Sequence, residues 1–470
     1  MDAFARIVGP QHCLTAAADI APYGEDWRGV LHNPPALVVR PASTAQVAAI
    51  MAQAAVQGLR VVPAGGRTGL AGGSVPVAGN APSISVSLER LNRIRAVDGV
   101  DMSITVEAGC IVEQVQNAAS QADRLFPLSF GAQGSAHVGG AISTNAGGIR
   151  ALRYGTMRDL VLGLEVVLPD GRVLDDMRAV RKDNTGYALR HLFIGAEGTL
   201  GLVTAAALKL FPPMRARQTA FVAVQTPHAA LALLGRMRDC GADLVAFELC
   251  GRRPIALTIQ NLPGFRAPVP LTTPWYCIIE IAAAHAGAPL RAIIEDSLAA
   301  ALEAGECVDA MLADSEESRA MLWRMRESTP DAQRREGPSA NTDTCVPVSA
   351  VPGFLDDVAG LCAARWPEGH MMAIGHLGDG NIHISLQAPG VVPAVEWAAR
   401  ATGFDDAVAD LAVAAGGSFS AEHGIGQSKL RQMARLKNPV ALEVMRAIKG
   451  VLDPGGRMNP GKVLPGLAAY

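Results

Sequence analysis

Short runs rich in Val and Ile alternate with longer stretches whose apolar residues recur every three or four positions, and these two textures divide the chain. Early on, Ala36–Arg40, Leu59–Pro63, Ile84–Leu88 and Ser103–Glu107 are bounded by Gly, Pro, Ser or Asp, which predicts strands. Between the first two, residues 43–52 open on a capping Ser43 or Thr44 and set Val47, Ile50 and Met51 at helical spacing, which predicts a helix. Strand, helix, strand and then a hairpin-like series make the first 215 residues an α+β domain with many glycines. From 216 to 415, His228–Cys240, Pro289–Gly305 and Asp314–Ser328 read as helices and Tyr276–Ile281 as a strand, the pattern of a second, α/β domain. Residues 416–470 end in a helix around Pro439–Gly450 and a Pro- and Gly-stiffened loop over 452–462. The sequence has no internal repeat and no low-complexity segment.

Composition narrows the class. With 470 residues the chain is too long for one core, and 49% hydrophobic against 18% charged residues describes a packed globular protein. A net charge of −3 gives no bias toward nucleic acid or an acidic membrane surface. The eight cysteines are scattered without a C-x-x-C pair, which reads as buried thiols in a reducing compartment. The first residues carry Asp2 and no long apolar core, unlike a secretory signal, and no apolar run is long enough to predict a spanning helix. The expected location is cytoplasmic.

The densest chemistry lies at Gly375–Ile384, where His376 and His383 flank the turn Gly378-Asp379-Gly380-Asn381, followed later by Glu422-His423-Gly424. On one straight strand, residues seven apart point to opposite faces, so convergence of the two imidazoles requires a reversal, which Gly and Asn permit. Two histidines and a carboxylate, His376, His383 and Glu422, are the ligand inventory of an open metal site, and His423 is left over for proton transfer.

Three glycine clusters add a second theme. Pro63–Ser74 follows a strand, Gly131–Gly148 holds the second cluster, and Gly195–Gly201 precedes an apolar strand. Together they suggest an extended ligand lying along backbone, with an amide nest for an anion. The first is not G-x-G-x-x-G and opens no helix, which disfavours the usual nicotinamide dinucleotide fold. Residues 456–462 begin like a phosphate-binding P-loop, but Val463 replaces the required Ser or Thr and Pro460 interrupts the amides. A flavin-free metal-dependent hydrolase would use the same His/His/Glu set but would leave the three clusters without a purpose.

Taken in order, Pro63–Ser74, Gly134–Arg150, Tyr154-Gly155, Arg181–Tyr187, Gly195–Gly201, the histidine turn, Glu422-His423-Gly424 and Asn459–Lys462 resemble the FAD-dependent D-2-hydroxy acid dehydrogenases. These flavoproteins of the vanillyl-alcohol-oxidase type include D-2-hydroxyglutarate and D-lactate dehydrogenases, and the resemblance covers roughly residues 35–465. It implies an FAD-binding domain over 1–215, a substrate or cap domain over 216–415, and a C-terminal segment, 416–470, returning to the flavin. FAD would be held by Pro63, Gly65, Gly66, Arg67, Thr68, Gly69, Leu70, Gly73 and Ser74, by Gly134, Ser135, Gly139, Gly140, Thr144, Asn145, Gly147, Gly148, Tyr154 and Gly155, and by Glu197, Gly198, Leu202 and Asn459. Relatives with tethered flavin often carry His where this chain has Arg67, so the implied FAD is non-covalent.

By the same resemblance, His376, His383 and Glu422 are ligands of a divalent metal, usually Zn²⁺, His423 is the general base, and Arg326 binds a substrate carboxylate. Asn341 and Ser385 stand at substrate-side positions where D-2-hydroxyglutarate enzymes typically carry Lys and Asn, and Pro330 stands where they often carry Thr. Residues 342–347 read closer to D-lactate dehydrogenases, whereas Arg326–Ser328 reads closer to bacterial D-2-hydroxyglutarate enzymes, so both substrates stay open. No iron–sulfur spacing or nicotinamide fingerprint is present, and electrons are expected to leave for an external carrier such as an electron-transfer flavoprotein or a quinone. Family members are often dimers, so a homodimer stays open, although the sequence itself does not set the oligomeric state.

Overall fold

The computed structural model of the protein describes residues 2–79 and 82–466. It divides into two compact units. Unit 1 holds the described residues of Met1–Gly148, Tyr154–Pro213 and Glu422–Tyr470, and unit 2 holds Ile149–Arg153 and Met214–Ala421.

Unit 1 carries two sheets. In the first, β1 (Cys13–Leu14), β2 (Leu37–Val39), β3 (Arg60–Ala64) and β4 (Ser83–Ser87) lie in the order β1-β2-β4-β3. β2, β4 and β3 run parallel, which requires a crossover between β2 and β3. The helix Thr44–Val56 supplies it, with Ser43 Oγ accepting from the Gln46 amide as N-cap and Val47, Ile50, Met51 and Ala54 buried. The open edge of β3 is covered by the C-terminal tail, where the Val61 amide donates to Arg457 O and the Asn459 amide to Val61 O. The second sheet is antiparallel, in the order β5-β6-β9-β7-β8, from β5 (Ile94–Asp98), β6 (Ser103–Glu107), β7 (Val161–Val167), β8 (Val173–Asp176) and β9 (Leu202–Lys209).

Unit 2 is built on one antiparallel sheet of β10 (Ala216–Val224), β11 (Asp243–Gly251), β12 (Trp275–Ala283), β13 (Asp309–Leu312), β14 (Ser339–Asn341), β15 (Thr344–Cys345), β16 (His370–His376) and β17 (Asn381–Gln387). Its order is β13-β10-β12-β11-β16-β17-β14, with β15 also on β17. Because side chains alternate along a strand, β11 offers Phe247 and Leu249 to one face and Ala246 and Cys250 to the other. The first face is covered by Pro227–Arg238, Leu290–Glu303, Val351–Arg365 and Phe404–Ala414, which bury Leu233, Ile294, Phe354 and Phe404 there. The second face is covered by Arg252–Asn261, Glu316–Glu327 and Thr329–Glu336, through Ile255, Leu322, Met325 and Ala332. Burying each such Leu or Phe contributes about 1.5–3 kcal/mol.

The expected strands and helices are all present, shifted by a few residues at their ends. Within the second glycine cluster Val138–Ser143 is helical, with Val138 and Ile142 fully buried. No described helix is long and apolar enough to cross a membrane.

Candidate active site

The histidine turn is a β-hairpin. His376 pairs with Asn381 and Ile374 with His383, so the two imidazoles stand diagonally on one face, their ring centroids 5.8 Å apart. Gly380 makes the reversal at a φ of +82°, and a Cβ there would lie 2.0 Å from Val346 O, so no other residue fits.

Beside His376 in the sheet register lies Glu248 of β11. This carboxylate is fully buried on the face it shares with Ala246 and Cys250. Its Oε1 accepts from His376 Nδ1 at 2.6 Å and its Oε2 from Arg326 Nε at 2.7 Å. Arg326 is carried by the helix Glu316–Glu327, whose Leu322 and Met325 anchor it on the same face. Burial alone would push the Glu248 carboxyl up, but His376 and Arg326 outweigh it and hold the group down at about 2. Arg326, expected as a carboxylate binder, thus gives its Nε–H to a carboxylate of the protein itself, Glu248.

Asp343 is the other acid missing from the sequence expectations. It is buried, accepts from Asn381 Nδ2 at 3.0 Å and from the Ala421 amide at 3.2 Å, and lies 3.7 Å from His383 Nδ1. The Ala421 contact fixes the chain just ahead of Glu422 and His423. Asp343 and His383 belong to a His/Asp/Glu group able to hold a metal ion. His376 is outside that set, with Nδ1 on Glu248. The donors are imidazole nitrogens and carboxylate oxygens, which suit Zn²⁺ and similar divalent ions.

Asn341 and Ser385 face each other across β14 and β17, with Ser385 Oγ donating to Asn341 Oδ1 at 2.7 Å. Gln333 Nε2 also reaches that oxygen, at 3.4 Å, giving a neutral polar group. Pro330 sits in the first turn of Thr329–Glu336, a position that suits its missing N–H.

In unit 1 the three glycine clusters come together. A Cβ at Gly66 would lie 2.1 Å from Ser135 O, and one at Gly198 would lie 2.6 Å from Pro63 Cγ, so both glycines are demanded by close packing of chain on chain. The Glu197 amide donates to Ser143 O, and Asn459 Nδ2 ties Gly73 O to Glu197 O at 2.9 and 2.7 Å. Glu197 is buried, which pushes its carboxyl up against two amide donors, Ile425 and Gly426. Arg67 lies over the Tyr23 ring, 4.3 Å from its centroid.

Some expected cofactor residues are occupied within the protein. The Asn145 side-chain oxygen accepts from Arg158 N and Thr156 Oγ1, Thr144 Oγ1 donates to Gly140 O, and the Leu202 side chain packs in the core. Tyr154 stacks edge-on with Phe211, and Gly155 is crowded by Asp159.

Other features leave room for a ligand. Gly69 and Gly140 have nothing within 4 Å of where a Cβ would stand. His137 Nδ1, Asn459 Oδ1 and Lys462 Nζ are buried without a hydrogen-bond partner. Open glycine backbone and orphaned buried donors and acceptors fit a polar, anionic cofactor such as FAD.

Residues 213–463 match the family of FAD linked oxidases, C-terminal domain, and residues 35–176 match an FAD binding domain. The chain is 36% identical to the D-2-hydroxyglutarate dehydrogenase of Xanthomonas citri pv. viticola, across 96% of this chain and 93% of that one. The protein belongs to the FAD-dependent D-2-hydroxy acid dehydrogenases. It is also 35% identical to the mitochondrial D-2-hydroxyglutarate dehydrogenase of Arabidopsis thaliana, over 98% of this chain and 81% of the relative. Against p-cresol methylhydroxylase with substrate bound, the TM-score is 0.77 at 15% identity, covering 99% of this chain and 96% of that one. This likeness shows the fold, that of the vanillyl-alcohol-oxidase-type flavoproteins. The flavin-free hydrolase alternative falls with these matches.

Lys462 of this enzyme supplies a prediction. Burial lowers its ammonium from 10.5 to about 8, only partly opposed by Glu197. The buried charge therefore costs about 3 kcal/mol at neutral pH. The cost shrinks as pH rises from 8 toward 10.5, where the unfolded chain also loses the proton. Lys462→Met is expected to stabilise flavin-free protein by about that amount at neutral pH, with the gain fading in alkali, and to weaken FAD binding. Denaturant unfolding across this pH range checks it, and equal stability of both proteins at neutral pH contradicts it.

Proposed function

We propose that the enzyme oxidises D-2-hydroxyglutarate to its 2-oxo acid and passes the electrons to an external carrier such as an electron-transfer flavoprotein or a quinone. The observation that carries this reading is one buried carboxylate, Glu248, holding both a guanidinium suited to a substrate carboxylate and an imidazole suited to a metal. The names of the relatives support the substrate.

FAD would be held non-covalently along the glycine clusters and would supply the hydride acceptor. A divalent metal, Zn²⁺ first among candidates, would be held by His376, His383 and Glu422, with Asp343 beside them, and would supply a Lewis acid for the substrate's oxygens. Arg326 would bind the substrate carboxylate through its guanidinium, a planar match that fixes orientation. His423 takes the 2-hydroxyl proton as the hydride leaves C2. Acid precipitation is expected to release the flavin, because Arg67 replaces the tethering residue; flavin that stays with the denatured chain contradicts this.

The substrate assignment has its own test. The neutral Asn341–Ser385 pair gives no charge to a distal carboxylate, so Asn341→Lys is expected to raise kcat/KM for D-2-hydroxyglutarate relative to D-lactate by about tenfold. No change in that ratio, with wild type already favouring D-2-hydroxyglutarate, would place the distal carboxylate elsewhere. A wild type that prefers D-lactate overturns the substrate assignment.

A further inference from the structure

We propose that Glu248 is a positioning residue that couples the metal subsite to the carboxylate-binding subsite, fixing the tautomer of His376 and the orientation of Arg326 with one side chain. This rests on the proposed roles of those two residues and adds the group that sets both.

The argument is one of donors and acceptors. An ionised carboxylate only accepts, and here its two oxygens take one donor each, His376 Nδ1 at 2.6 Å and Arg326 Nε at 2.7 Å. Arg326 has no acceptor to offer, so the oxygen facing it is required in every state. Accepting from Nδ1 places the proton of neutral His376 on that nitrogen and leaves the Nε2 lone pair for a metal.

Three elements enforce the geometry. Glu248 and His376 are direct partners between β11 and β16, and the helix Glu316–Glu327 brings Arg326 down onto the same sheet face. Glu248 is completely buried and the Arg326 side chain is 10% exposed, so water does not substitute easily for either contact. Two subsites that a substrate must span with its hydroxyl and its carboxylate are therefore linked through a single rigid group. Neighbouring positions of β11 are filled by Ala246, Phe247, Leu249 and Cys250, so the carboxylate is isolated in an apolar strand. A buried charge has no packing reason to be there.

Glutamine at this place has nearly the same shape but the wrong complement. With its oxygen toward Arg326, its NH₂ faces Nδ1, which must then accept, and the proton of His376 moves to Nε2. With the amide turned round, NH₂ meets the Arg326 Nε–H and two donors clash. Glu248→Gln therefore keeps volume and breaks the relay.

The test uses full-length, FAD-loaded enzyme with ¹⁵N-labelled histidine, with His376 assigned by its loss in His376→Gln. In metal-stripped wild type, the ring is expected as the Nδ1–H tautomer, and in Glu248→Gln as Nε2–H. Zn²⁺ retention in competition with a chelator is expected to fall by about tenfold or more in Glu248→Gln. An Nε2–H tautomer in wild type, or Zn²⁺ held by Glu248→Gln as tightly as by wild type, overturns the proposal. If the variant does not fold, the wild-type tautomer alone decides. No substrate is present in these measurements. Enzyme that shows the expected tautomer and Zn²⁺ loss but ignores D-2-hydroxyglutarate would lose its substrate assignment and keep this one.

Discussion

Alanine at His376, His383 or Glu422 is expected to lower turnover on the order of a thousandfold, about 4 kcal/mol of transition-state stabilisation, while leaving flavin bound. The two histidines belong to the hairpin Gly375–Ile384, whereas the glycine clusters that fit FAD lie at 63–74, 131–148 and 195–201, so the losses separate. His383 belongs to the metal-capable group with Asp343, and His376 is held by Glu248. Prolonged chelation of wild type is expected to give the same loss, with activity regained on adding Zn²⁺, Co²⁺ or Mn²⁺. Flavin absorbance and steady-state rates on the same samples check both halves. Undiminished activity in exhaustively metal-free enzyme would remove the metal from the mechanism.

Arg326→Ala has two expected effects because the residue has two partners. Losing a charge-assisted hydrogen bond to the substrate carboxylate raises KM by roughly tenfold to a hundredfold, about 1.5–3 kcal/mol. The same change strips the fully buried Glu248 of one of its two partners, and removing one member of a buried ion pair costs about 3–5 kcal/mol of stability. Steady-state kinetics and denaturant unfolding measured together separate the two. A variant with raised KM and undiminished stability would mean that the Glu248 contact is dispensable. A variant with lost stability and unchanged KM would take Arg326 out of the substrate site.

The hairpin was legible because turn chemistry and ligand types coincide within ten residues, and the antiparallel register then follows from the Gly- and Asn-containing reversal. Glu248 was not, because its role depends on the pairing of β11 with β16, strands more than a hundred positions apart. The signal available was one carboxylate inside the apolar run Leu244–Cys250, since an unpaired charge there would be too costly to bury. Asp343 is not legible in sequence because its partners, Asn381 and the Ala421 amide, arrive from two other segments. The glycine clusters read in sequence as a ligand cradle, whereas Gly66 and Gly198 answer to neighbouring chain and Gly69, Gly131 and Gly140 have open space where a Cβ would stand. Sequence shows that a glycine is present but not which atom requires it. The short helix Val138–Ser143 was hidden for a related reason, since Gly139-Gly140 has poor helix propensity and the turn is held by the burial of Val138 and Ile142.

The claim on which the rest depends is that this protein takes a hydride from the D enantiomer of a 2-hydroxy dicarboxylic acid. Anaerobic mixing of metal-loaded, FAD-containing enzyme with D-2-hydroxyglutarate, and separately with its L enantiomer and with D-lactate, tests this directly. The expected result is rapid bleaching of the flavin's visible absorbance by D-2-hydroxyglutarate, slower bleaching by D-lactate and none by the L acid. A flavin that stays oxidised with D-2-hydroxyglutarate while another acid reduces it would contradict the account.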